Sequence, residues 1–410
     1  MTNSKHVPKR RFKDFELDSE WELKKLGDFG SVEMCKRIFK NETSDKFDIP
    51  FYKIGTFGKQ ADSYISREKF ESYKNSFPYP KKGDLLLSAS GSIGNVVEYR
   101  GEDAYFQDSN IVWLNHSGKI NNTFLKQFYS IASWEGIEGT TIKRLYNKNI
   151  LETKISLPSM HEQKQIGKFF QTIDSLISLH QHKLDKLKDL KKAYLTEMFP
   201  AEGERVPKRR FPGFEGEWEQ KKLGQLMDVG SVKRVHQSDW GDRGVRFLRA
   251  RDIVSESKNK RPDDFLYIDE ELYKKYSAIS GVVEKGDLLV TGVGTIGVPM
   301  LVESSEPLYF KDGNIIWFKN KNLLDGHFFY YSFTARAIQK FIGDVAGVGT
   351  VGTYTIDSGK NTPILLPVTK EEQVVIGDFF KKLDQSVTLQ QHKLDKLNDL
   401  KKAYLNELFV

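Results

Sequence analysis

The chain is one unit written twice. VPKRRF at residues 7–12 returns at 206–211, and WELKKLG at 21–27 returns as WEQKKLG at 218–224. KGDLL stands at 82–86 and 285–289, followed by GSIG at 91–94 and GTIG at 294–297, and FQDSNIVW (106–113) matches FKDGNIIW (310–317). Each copy closes on a near-identical segment, QHKLDKLKDLKKAYLTEMF (181–199) or QHKLDKLNDLKKAYLNELF (391–409). These agree at 16 of 19 positions and differ only at Lys188/Asn398, Thr196/Asn406 and Met198/Leu408. A period near 200 residues is too long for a stacked solenoid, so it means two domains, each followed by its own long helix. The offset between copies grows from 199 at VPKRRF to 203 at KGDLL and 210 at QHKLDKL, which places insertions inside the second copy. Ends held alike and middles that have drifted point to one shared structural job and two related recognition jobs.

The closing segments are helical. After Leu157-Pro158 and Leu366-Pro367, where proline favours extended or turn backbone, Ile166, Phe170, Ile173, Ile177, His180, Leu184, Leu187, Leu190 and Tyr194 recur at spacings of three and four. Ile376, Phe380, Leu383, Val387, Leu394, Leu397, Leu400 and Tyr404 repeat the stripe. A stripe held over about five heptads predicts a coiled coil, and residues 161–199 would form a rod of roughly 58 Å. Neither rod has a sufficient core of its own, so the two are expected to pack antiparallel, with Leu184, Leu187, Leu190, Leu394, Leu397 and Leu400 as pairing residues. His182 and His392 read as helix-surface residues, with no second ligand beside either.

The middles read as mixed α/β. Short β-rich runs (FDIPFYKIG, GDLLLSAS, NVVEY, SNIVWL; VRFLRA, GDLLVTG, NIIWF, PILLPV) alternate with turn residues and with helical stretches at 124–133 and 327–341. The fold class is therefore α+β: two tandem mixed α/β domains separated by two long antiparallel coiled-coil helices, with internal pseudo-twofold duplication. The boundaries fall at 1–156, 157–200, 201–365 and 366–410.

Catalytic constellations are scarce. No GxxxxGK[ST] loop, no strand-borne GxGxxG with a distal acid and no DPPY-like tetrapeptide occurs, and HEQKQ at 161–165 lacks the second histidine of HExxH. GSIG and GTIG suit either a backbone nest for phosphate or, more commonly, a tight bend between strands. No uncharged apolar stretch reaches the roughly 18 residues that span a bilayer, and one cysteine, Cys35, permits no internal disulfide, so a cytoplasmic chain without membrane contact is expected. The 63 basic against 56 acidic residues give +7, a modest excess that favours a polyanion. VRFLRARDI suggests a strand with Arg249 and Arg251 on one face. The matching IPFYKIGTF offers Lys53 and Gly55, with Lys59 beyond. A second rim is GTTIKRLY, with Lys143 and Arg144, opposite GTVGTY with Thr350. A shared frame with different polar tips is what base reading needs, since arginine bonds guanine through two hydrogen bonds and lysine holds phosphate. A solvated edge strand with a flexible loop is the plainer alternative.

The repeated blocks RRFPGFEGEWEQKKLG (209–224), KGDLL with GxIG, LPxxxEQ at 157–163 with its longer version at 366–373, and the QHKLDKL helices resemble the specificity subunits of type I restriction-modification systems. The resemblance implies a non-catalytic subunit whose two target recognition domains each read half of a split, asymmetric double-stranded DNA target. It implies two adenine-N6 methyltransferase (modification) subunits and restriction/motor subunits as partners, with AdoMet, ATP and Mg on those partners and no cofactor on this chain. Lys53, Lys59, Lys143, Arg144, Arg249, Arg251 and Thr350 are then the expected DNA contacts. The rival expectation is a coiled-coil assembly scaffold that never touches DNA, whose binding would be indifferent to salt.

Overall fold

The computed structural model describes residues 6–134, 144–258, 260, 262, 264–347 and 352–410. It divides into two compact units, Met1–Gln181 with Lys393–Val410, and His182–His392. The division cuts through both long helices, Met160–Glu197 and Lys370–Leu408. Each unit thus owns one domain, the start of one long helix and the end of the other. In the second unit these parts are continuous in sequence, whereas in the first the closing helix arrives from the far end of the chain.

Each domain holds two larger sheets and a two-stranded ladder, Glu22–Lys25 with Lys154–Leu157 or Glu219–Lys222 with Pro363–Leu366. In the first unit the strands Ser31–Glu33, Ile111–Asn115, Leu85–Ser88 and Val96–Glu98 lie in that order, all antiparallel. Asp228–Gly230, Ile315–Lys319, Leu288–Thr291 and Pro299–Leu301 repeat the order in the second. The central strands are buried on both faces, which is why they read as unbroken apolar runs instead of alternating. Leu85 and Leu87 enter a core with Val112, Phe124 and Phe170, while Leu86 enters a second core with Phe51, Tyr105 and Trp113. Leu288 and Val290 against Leu289 do the same in the other unit. Truncating the fully buried Leu289 to alanine would open a cavity at a cost of about 2–5 kcal/mol.

The second sheet supplies the only parallel pairing among the described residues. Ile49–Tyr52 runs parallel to Tyr105–Phe106, and Val245–Leu248 runs parallel to Leu308–Phe310. The expected helix at 124–133 is Asn122–Ile131, capped by Asn121, whose Oδ1 accepts the Phe124 N–H at 3.1 Å. That expected at 327–341 is two helices, Gly326–Thr334 and Arg336–Val345, because Ala335 between them is extended. Extra residues of the second copy form the helix Ala250–Ser257.

Within each unit the helix start and helix end pack antiparallel. In the first, Phe169 meets the Tyr404 ring at 4.9 Å and Asp174 Oδ1 lies 2.7 Å from Lys401 Nζ. In the second, Tyr194 meets Phe379 at 5.1 Å and Lys191 Nζ lies 2.5 Å from Asp384 Oδ1. Leu184 and Leu394 are buried, Leu187 and Leu397 half-buried, but Leu190 and Leu400 are 42% and 44% exposed. At 3.6 residues per turn the stripe passes from 184 and 187 to 191 and 194, so Lys191 and its counterpart Lys401 take the place expected for those two leucines.

The shared ends explain themselves here. Arg11 grips Glu162 with Nε and Nη2 at 2.8 and 2.7 Å, and Arg210 grips Glu372 with both bonds at 2.7 Å. The Arg10 N–H donates to the Glu407 carbonyl and the Arg209 N–H to that of Glu197, each at 2.9 Å. Phe409 stacks on Phe124 at 4.9 Å beside Trp21, just as Phe199 stacks on Phe328 at 5.8 Å beside Trp218. One arm, one helix tail and one tryptophan pocket recur in both units. Each copy of these segments does the same packing job in its own core.

Candidate nucleic-acid interface

The parallel strand pair sets the site. Because the strands run the same way, the segments after Tyr52 and Phe106 leave the first domain's sheet at one edge. The Lys53 N–H donates to Thr56 Oγ1 at 3.1 Å, and the Ile54 N–H donates to Gln107 Oε1 at 3.0 Å, which ties the two exits together. Lys53 Nζ pairs with Asp62 at 2.8 Å, both partly exposed, and Lys59 is exposed on the same loop. Arg144 reaches this edge from elsewhere in the chain: its Nη2 donates to the Ser109 carbonyl at 3.1 Å and its guanidinium lies over the Tyr146 ring. Lys53 and Arg144 therefore both border the segment that follows Phe106, Lys59 stands on the same loop as Lys53, and Lys143 lies outside the described residues.

In the second domain the expectation needs correcting. The strand ends at Leu248, so Arg249 and Arg251 do not share a strand face; Arg249 caps the helix Ala250–Ser257 and Arg251 sits in its first turn. Asp252 decides this, because its Oδ2 accepts the Arg249 backbone N–H at 2.8 Å and turns the chain into a helix where the first domain has a loop. The two arginines converge all the same on Asp264: Arg249 Nη1 lies 3.0 Å and Arg251 Nη2 2.6 Å from its carboxylate. Arg249 hydrogen bonding, with Arg251 nearby, holds the Asp264 carboxyl below its usual range. Arg249 also bonds Asp252 and is 13% exposed, whereas Arg251 is 60% exposed. Arg251 is the presented group, and Arg249 fixes the platform. Thr350 lies outside the described residues.

GSIG and GTIG make the bend between the third and fourth strands of each four-stranded sheet. Gly91 and Gly94, like Gly294 and Gly297, have φ between 64° and 85°. The Gly94 and Asn95 N–H groups donate to Ser88, and those of Gly297 and Val298 to Thr291. These donors are used within the turn, so the tight bend, and not a phosphate nest, accounts for the glycines.

One pair of residues went unnoticed in the sequence. Arg37 Nε donates to Asp108 Oδ2 and Arg234 Nε to Asp312 Oδ2, each at 2.8 Å, at the same sheet edges. The signal was present as a repeated Lys-Arg dipeptide, 36–37 and 233–234, inside the drifted middles.

Duplicated sheet domains with cationic loop edges, closed by shared long helices, define a two-domain recognition protein. A family model described as the type I restriction modification DNA specificity domain matches twice, at residues 18–189 and 215–399, and the chain belongs to that family. A putative type I restriction enzyme specificity subunit of Haemophilus influenzae is 52% identical over 167 residues, which cover 40% of this chain and 43% of that relative. The type I restriction enzyme MjaVIII specificity subunit of Methanocaldococcus jannaschii is 25% identical, with 96% of this chain and 93% of that one covered. The crystal structure of the type I restriction-modification system S subunit from M. genitalium has the same fold, with a TM-score of 0.63 at 15% identity over 98% of this chain and 99% of that one. The two matched stretches are DNA specificity domains, one per copy.

Proposed function

We propose that this protein supplies the sequence specificity of a type I restriction-modification complex. Each domain reads one half of a split, asymmetric target in double-stranded DNA. The subunit positions two adenine-N6 methyltransferase (modification) subunits, which restriction and motor subunits join, and it works in the cytoplasm. AdoMet, ATP and Mg bind on those partners, and the extrusion of the target base takes place in the methyltransferase pocket while this chain fixes the register. The chain itself carries no catalysis.

The observation that carries this reading is that the two domains keep one frame and change what stands on its edge. A loop with Lys53 and Lys59 in the first is replaced by a helix presenting Arg251 in the second. Two unlike edges on one frame are what reading two unlike words requires. Exposed leucines on the long helices, Leu176, Leu179, Leu389 and Leu400 among them, support a protein partner along those helices.

Co-expression with the methyltransferase partner in a methylation-free host, followed by mapping of modified adenines, tests it. A split word with unlike halves is expected, and exchanging residues 217–365 for those of another member replaces one half only. Modification of an unsplit word, or loss of both halves on exchange, refutes the reading.

A further inference from the structure

We propose that Arg37 and Arg234 are matched phosphodiester grips, one per domain, that hold the duplex without reading its sequence. The inference rests on the DNA reading above and assigns a role to residues within it. Both arginines follow the first strand of their four-stranded sheet, Ser31–Glu33 or Asp228–Gly230, and both sit behind a lysine. Behind each dipeptide the backbone is anchored by a buried tyrosine: the Tyr105 hydroxyl donates to the Lys36 carbonyl at 3.1 Å, and the Tyr309 hydroxyl to that of Lys233 at 2.8 Å. Each guanidinium is then aimed by one bond, from Nε to a carboxylate whose side chain is 15% exposed, while the arginine side chains are 59% and 69% exposed. Among the described residues neither guanidinium makes a further hydrogen bond, so Nη1 and Nη2 of both are presented to solvent.

The position of the two carboxylates puts these arginines at the reading edge. Asp108 and Asp312 stand two residues past the parallel strands Tyr105–Phe106 and Leu308–Phe310, in the turns that also meet the other edge groups. Ser109 accepts from Arg144, and the Lys311 N–H donates to the Leu248 carbonyl just before Arg249. An ion pair this exposed adds little to stability, so its repetition at the same 2.8 Å in both drifted domains calls for another reason. Orientation supplies one: a guanidinium held at Nε offers its two outer nitrogens as a fork, which fits phosphate oxygens. The choice of phosphate over base follows from the duplication. An identical residue in identical geometry cannot account for two different words, so it contacts what both half-sites share, the sugar-phosphate backbone.

The test measures DNA affinity against salt for the full-length chain in complex with its methyltransferase partner, using a duplex carrying the mapped target and an unrelated duplex. R37Q and R234Q are each expected to flatten the log–log salt slope by about 0.9, and the double variant by about twice that, with equal loss on both duplexes and an unchanged methylation map. R37K, which keeps the charge, retains the slope that R37Q loses. A wild type with steep salt dependence whose R37Q and R37K slopes are equal overturns the grip alone, as does an R37Q variant that relaxes one half of the methylated word. A wild type that binds DNA without salt dependence overturns the DNA reading and the grip with it.

Discussion

Arg210 and Glu372 allow the structural role of the shared ends to be measured. Arg210 donates to both Glu372 oxygens at 2.7 Å and to the carbonyls of Gly216 and Glu215 at 2.6 and 3.0 Å, and the Glu372 side chain is 1% exposed. Arg210→Met leaves a buried carboxylate without its cation, a change that costs about 3–5 kcal/mol. For a unit of about 200 residues each kcal/mol shifts Tm by about 2–4 °C, so the transition should fall by about 6–20 °C. The double change R210M/E372L removes both charges together and should cost less than R210M alone, with a coupling of about 1–3 kcal/mol. The Glu372 hydrogen bond raises the pKa of Arg210. A folded-state pKa raised above the unfolded value gives a contribution that is complete below arginine's ordinary value and lost only as pH rises past it. Arg210's own titration therefore adds no pH dependence to stability from about pH 6 to about pH 9. Urea titrations of the four members of the cycle give these values directly. Additive single and double effects would refute the argument.

Other consequences follow from particular contacts. Gly167 and Gly377 sit where each long helix crosses a helix N-terminus, and an added Cβ would lie 2.9 Å from the Phe124 nitrogen or 2.8 Å from that of Phe328. Alanine at either site should lower stability by about 1–3 kcal/mol despite its better helix propensity, and a raised Tm for G377A counts against the packing described. Phe409→Ala empties the pocket shared with Phe124, Phe170 and Trp21 and should cost about 3–5 kcal/mol, so an unchanged unfolding midpoint would mean that the chain's end does not close the first core. Arg251→Ala should relax one position of the half-word read by the second domain, a loss of about 1–3 kcal/mol on the mapped target, with the other half intact. Burial pushes the Cys35 thiol up to about 12, so the native protein should resist thiol reagents near neutral pH and react once unfolded; prompt native labelling would contradict its placement.

Repetition made much of this fold legible. Residues 85–88 and 288–291 were readable as strands because they are short β-rich runs between turn residues, and the long helices followed from a stripe sustained over many turns; that both faces of those strands are covered came from the structure. The edge residues were harder. VRFL reads as a strand, but whether RARD continues it depends on an aspartate three residues on that caps a helix, a competition settled by one hydrogen bond. Arg37 lies 71 residues from the carboxylate that aims it, and no window of local pattern connects them.

The sequence alone determined that there are two copies, that each ends in a long amphipathic helix, and that the ends serve one purpose while the middles serve two, because identity and periodicity are properties of the linear chain. Only the tertiary structure decided that residues 393–410 complete the first unit and not the second, that Lys191 and Lys401 stand where leucines were expected, and which arginines are held and which presented. Those outcomes depend on which groups meet when the chain closes on itself: helix phase, the burial of a carboxylate and the partner of a guanidinium are fixed by atoms brought together across tens to hundreds of residues.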